Sequence, residues 1–121
     1  DAVVEDLEGH FGLEAGRIRF LLALGEGAAP RLGEIAGASP RLAALLPASK
    51  PIASPAARRL RALLPEAAAT AGIAAIDAPH PSPSDPRGLL EEAREALALG
   101  YSGKLATHPR QVATIQELFS R

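Results

Sequence analysis

The chain has 121 residues, 47% of them hydrophobic, a formal net charge of -1 and no cysteine. Its length and apolar content suit one domain, residues 1–121, with a core of its own. The balanced charge, with only three phenylalanines and one tyrosine, argues against a nucleic-acid partner, and the lack of cysteine removes disulfides, thiolate nucleophiles and zinc–thiolate sites.

No run approaches the roughly 20 apolar residues of a membrane span, and no charged-then-apolar leader is evident, so a soluble, cytoplasmic protein without a membrane partner is expected. A chain that starts at Asp1 and contains no methionine is also expected to be less than a complete translation product.

Taken in order, residues 1–8 set Val3, Val4 and Leu7 among acids in a weak helical pattern. Gly9, Gly12 and Gly16 punctuate a loop. Residues 17–24 then form a mostly apolar run bounded by glycines, which predicts a strand buried on both faces. Residues 30–35 predict a short helix opened by Pro30, and residues 41–46, closed by Pro47, a second strand.

Ser54 is a predicted N-cap with Pro55 at the first helical position. The helix from Pro55 to about Ala71 carries Ala56, Leu60, Leu63 and Leu64 at helical spacing, with Arg58, Arg59 and Arg61 on the solvent side. Pro65 is expected to kink or interrupt it. Residues 73–77 predict a third strand, ending in Asp77.

Residues 78–86 hold four prolines, which forbids regular structure. Asp85 caps a predicted helix from Pro86 to Leu99 with one apolar stripe, and Gly100 ends it. The last strand is predicted at residues 104–107 and the last helix at residues 109–119. The alternation of strand and helix, four times over, implies an α/β fold with a parallel sheet and right-handed crossovers.

In such a fold, chemistry collects at the carboxyl ends of the strands, where Glu26, Asp77 and His108 are placed. An acid pair with a histidine could hold a divalent ion or polarise a carbonyl. The plainer alternatives are a solvated Glu26, an Asp77 that satisfies backbone donors in the proline-rich loop, and a His108 that caps a helix or closes a turn. Lys50 either presents a fixed positive charge to a carboxylate or phosphate or is a solvated loop residue. Lys104 is expected to begin its strand at the opposite end and to serve packing or solubility. Gly25-x-Gly27 lacks the third small residue and the downstream acid of a dinucleotide loop, and no serine sits in a nucleophile elbow.

The segments Ala71-Gly72-Ile73-Ala74-Ala75-Ile76-Asp77-Ala78, Asp85 to Gly88, Glu92-Ala93-Arg94, Ala98-Leu99-Gly100-Tyr101-Ser102-Gly103-Lys104-Leu105 and His108-Pro109-x-Gln111-Val112 carry a resemblance. They resemble the closing third of the HpcH/HpaI aldolase and citrate lyase beta-subunit (CitE-like) superfamily, over residues 67–119. Upstream, Gly16-Arg17-Ile18-Arg19, Gly33-Glu34-Ile35-Ala36 and Ser39-Pro40-Arg41-Leu42 fit less strongly.

The resemblance implies four βα units like the carboxyl-terminal half of a TIM (β/α)8 barrel, completed by further sequence, a second copy or a partner half-barrel. It implies carbon–carbon lyase chemistry on an acyl-CoA ester or a small carboxylate such as a 2-oxo acid. In that family a Mg2+ ion, held by a glutamate after one strand and an aspartate after the next, stabilises an enolate.

This sequence departs from the family at those positions. The metal glutamate aligns with Leu24, and Glu26 reaches its place only with two residues deleted; the metal aspartate aligns with Lys50. The family's amino-terminal half, with its substrate-binding arginine, has no counterpart. The expectations are therefore a lyase-like protein with a divergent metal site, tested at Glu26, Lys50, Asp77 and His108, or a non-catalytic paralogue that binds acyl-CoA or a partner subunit.

Overall fold

A computed structural model describes residues 2–48 and 54–120. In chain order it comprises α1 (Ala2–His10), β1 (Phe20–Leu24), a 3₁₀ turn (Glu26–Arg31) running into α2 (Leu32–Ala36), β2 (Leu42–Pro47), α3 (Pro55–Ala71), β3 (Ala74–Asp77), α4 (Pro86–Leu99), β4 (Gly103–Lys104), a second 3₁₀ turn (Pro109–Gln111) and α5 (Val112–Phe119). The four strands form one parallel sheet in the order β1-β2-β3-β4. Each strand pairs with its sequence neighbour, as helical crossovers between adjacent parallel strands require.

Local chemistry sets the helix boundaries. Ser54 Oγ accepts the Ala57 N–H at 3.0 Å at the start of α3, and Asp85 Oδ1 accepts the Gly88 N–H at 3.0 Å at the start of α4. Gly72 and Gly100 end these helices in the left-handed region, at φ 74° and 106°, where a side chain would be strained. Leu60 and Leu64 of α3 and Leu45 of β2 are fully buried at the centre of the core, joined by Leu24, Leu42, Ala75, Ala96 and Tyr101.

Pro65 does not interrupt α3, which runs through it from Pro55 to Ala71. Proline lacks the N–H that would bond the carbonyl four residues back, that of Arg61. The Tyr101 hydroxyl supplies the missing donor, to the Arg61 carbonyl at 2.7 Å.

Other expectations shift in detail. The first strand begins at Phe20 rather than residue 17, and the predicted helix at residues 30–35 is a 3₁₀ turn followed by one α-helical turn. The last strand is the pair Gly103–Lys104.

β1 is not buried on both faces. Leu21 is 60% exposed and Leu22 39%, because β1 is an edge strand. Arg61 lies not on the solvent side of α3 but in its buried stripe with Ala57, Leu60, Leu64 and Ala68.

Candidate functional site

The carboxyl ends of the strands are Leu24, Pro47, Asp77 and Lys104. Glu26 lies two residues beyond β1, exposed to solvent, and its Oε2 accepts the Ser54 hydroxyl at 2.6 Å. It thus anchors the N-cap of α3, which orients the carboxylate toward the start of that helix. Lys50 lies outside the described residues. His108 is exposed, and its Nδ1 accepts the Arg110 N–H at 3.1 Å as the cap of the second 3₁₀ turn.

Asp77 has a different environment. Its side chain is fully buried and turned toward α3, where Arg61 meets it with two donors, Nε to Oδ1 at 2.9 Å and Nη2 to Oδ2 at 3.0 Å. Lys104 Nζ adds a third donor, to Oδ2 at 2.8 Å. The carboxylate therefore answers two cations rather than the backbone donors of the proline-rich loop. Asp77 and Lys104 are register partners across β3 and β4, which brings the lysine to the carboxyl end of its strand and not to the opposite end. A two-residue strand beginning at Gly103 leaves Lys104 as its last residue.

The cluster continues outward. Lys104 Nζ also donates to the Ala78 carbonyl at 2.7 Å and forms an ion pair with Glu92 Oε1 of α4 at 3.2 Å. Glu92 Oε2 meets His80 Nδ1, His80 Nε2 lies 3.4 Å from Asp85 Oδ2, and Arg61 Nη1 meets Glu95. Burial disfavours the charge of Arg61, but the hydrogen bonds and charge of Asp77 overcome it and raise the pKa of the guanidinium. Burial, with the Asp77 charge, likewise pushes the Tyr101 phenol up.

No hydrogen bond or ion pair joins any two of Glu26, Asp77 and His108. Among the described residues, no group of three histidines, aspartates and glutamates is placed to hold a metal ion. With Asp77 neutralised by two cations and Glu26 tied to Ser54, the described residues do not fit a Mg2+ ion.

The fold and these ends can be set beside known proteins. No protein-family model matches the chain. The rat mitochondrial citramalyl-CoA lyase is 45% identical over 49 residues, 40% of this chain and 14% of that protein. The L-malyl-CoA/beta-methylmalyl-CoA lyase of Cereibacter sphaeroides is 40% identical over 60 residues, 50% of this chain and 19% of that protein.

Over these segments, up to half of its length, the chain is homologous to citrate lyase beta and HpcH/HpaI proteins. Among solved structures, RipC from Yersinia pestis matches 100% of this chain and 60% of its own, with 32% identity and a TM-score of 0.76. CitE from Mycobacterium tuberculosis, in complex with magnesium, acetoacetate and coenzyme A, matches 85% of this chain and 44% of its own, with 25% identity and a TM-score of 0.72.

A citrate lyase from Burkholderia xenovorans, 22% identical with a TM-score of 0.82 over 98% of this chain and 43% of its own, shows the fold alone, which is TIM-barrel-like. The chain thus matches less than a fifth of the length of the two curated relatives and between two and three fifths of these structures.

Sequence reasoning missed Arg61, His80 and Glu92 as members of the carboxyl-end network. A signal existed for Arg61, which stands four residues after Ala57 and three before Leu64, inside the buried helical stripe. None existed for the pairing of Asp77 with Lys104, which depends on strand register.

Proposed function

We propose that this chain belongs to a carbon–carbon lyase acting on an acyl-CoA ester or a small carboxylate, with a divergent metal site. The observation that carries the reading is the agreement of relatives and structure: CoA-ester lyases share 40–45% identity with parts of the chain, and 85% of the chain matches the structure of CitE from Mycobacterium tuberculosis. In this proposal residues 1–121 are one partial-barrel domain in a cytoplasmic protein. The exposed Leu21 and Leu22 at the β1 edge are covered by further strands, from a longer chain, a second copy or a partner half-barrel, because an open apolar strand edge invites pairing.

The test incubates the protein with malyl-CoA and citramalyl-CoA, with and without Mg2+, and follows release of the shorter thioester by chromatography. The lyase reading expects turnover that falls on Glu26→Gln substitution. Absence of turnover in every condition overturns it. The buried ion pairing of Asp77 and the lack of a metal-ligand cluster among the described residues favour a second reading, a non-catalytic paralogue. That reading expects the same thioesters to raise the melting temperature without being cleaved.

A further inference from the structure

The loops that follow β3 and β4, residues 78–85 and 105–111, lie side by side beyond the last rung of the sheet. Strand pairing does little to join them. β4 has two residues, and its last ladder bond runs from the Leu105 N–H to the Asp77 carbonyl at 3.0 Å. The first loop contains Pro79, Pro81 and Pro83, so it is short of N–H donors while every residue keeps a carbonyl acceptor. The carbonyls nearest the sheet, those of Ala78 and His80, take donors from outside the loop.

Two side chains from the second unit supply them. Lys104 Nζ donates to the Ala78 carbonyl at 2.7 Å, and Gln111 Nε2 donates to the His80 carbonyl at 3.2 Å. Gln111 is only 1% exposed, and its Oε1 faces the other way, accepting the Thr107 N–H at 2.8 Å and the Thr107 hydroxyl at 3.3 Å. One buried amide thus satisfies backbone groups of both loops with its two ends. A neutral aliphatic side chain would leave a donor and an acceptor unpaired.

We propose that Gln111 is a positioning residue that locks residues 78–85 and 105–111 into one body, so that this rim of the sheet moves as a unit. The loop carrying His108 is thereby held in register with the loop that follows Asp77. The inference concerns the rim alone, so it stands or falls independently of the lyase reading.

Proton exchange followed by NMR on this chain tests it. In the unaltered chain the Gln111 side-chain NH2 protons exchange about tenfold more slowly than those of the exposed Gln116, as a buried, bonded amide requires. Gln111→Met, close in volume but without polar atoms, speeds exchange of the Thr107 amide and shifts the Ser82, Ser84 and Asp85 amide resonances, while Ala44 and Leu45 in β2 stay put. Gln111→Glu keeps the acceptor for Thr107 and removes the donor to His80, so it moves the residues 80–85 alone.

Equal exchange of Gln111 and Gln116 in the unaltered chain overturns the proposal. So does a response to Gln111→Met that is confined to residues 105–111 or spread evenly through the sheet, the latter being the mark of a purely structural role. Should neither variant fold, the comparison of the two glutamines decides it.

Discussion

Buried arginine–carboxylate pairs stand at both ends of this sheet, and they do different work. At the amino end, Glu8 of α1 meets Arg41 Nη1 and Nη2 at 2.8 and 2.7 Å, and also accepts the Gly16 and Ile18 N–H groups just ahead of β1. Arg41 turns a further donor to the Ile18 carbonyl at 3.0 Å. Every partner is local to this clamp, which ties α1 and the start of β1 to the entry of β2. At the carboxyl end, Asp77 is shared between Arg61 and Lys104, and the lysine passes the connection on to Ala78 and Glu92.

The first arrangement fixes α1 against the start of β1 and the entry of β2. The second fixes the loops where a barrel of this kind keeps its chemistry. A buried acid at the carboxyl end of a strand is therefore not by that fact a catalytic group. The number of cations facing it decides whether it has lone pairs to offer.

The comparison breaks most sharply at Asp77. Asp77→Asn keeps the shape but leaves Arg61 and Lys104 buried without their shared anion, and removal of one partner of a buried pair costs about 3–5 kcal/mol. Urea denaturation should show that loss; a variant as stable as the parent would mean that the cluster does not hold the fold.

The amino-end clamp should instead reveal itself in acid. Arg41 and the Ile18 N–H hold the Glu8 carboxyl down to about 2 from its ordinary 4.5, against burial. Its folded value is lowered, so its contribution is complete above about pH 4.5 and disappears as the pH falls toward 2. Melting temperature measured across that window should decline, and Glu8→Gln should flatten the part of the decline that Glu8 causes.

Smaller effects sharpen the contrast between buried and exposed groups. Ser54→Ala removes both the cap of α3 and the partner of Glu26, a loss of about 1 kcal/mol by thermal melting. His108→Ala removes an exposed cap of a single 3₁₀ turn and should cost about 0.5 kcal/mol or less. If thioester cleavage is found, a fall of a hundredfold in His108→Ala would far exceed that structural effect and would assign the imidazole to the reaction.

Much of this molecule was legible in the chain. The N-caps Ser54 and Asp85, the C-terminal glycines Gly72 and Gly100 and the limits of α3 and α4 follow from short-range chemistry, because capping and glycine conformation involve residues only a few positions apart. So does the alternation that yields a parallel α/β sheet. That Pro65 would not interrupt α3 was not legible, because the donor to the Arg61 carbonyl comes from Tyr101, 36 residues beyond the proline, a contact with no local sign.

At the candidate site, the sequence by itself placed Glu26, Asp77 and His108 at or just beyond strand ends, since strand limits set position along the chain. Only the tertiary structure decided what each faces: solvent and Ser54 for Glu26, a turn for His108, two cations for Asp77. The register of β3 against β4 pairs Asp77 with Lys104, and the packing of α3 on the sheet delivers Arg61. Register and helix packing are settled by all the elements together, so no stretch of residues read alone contains them.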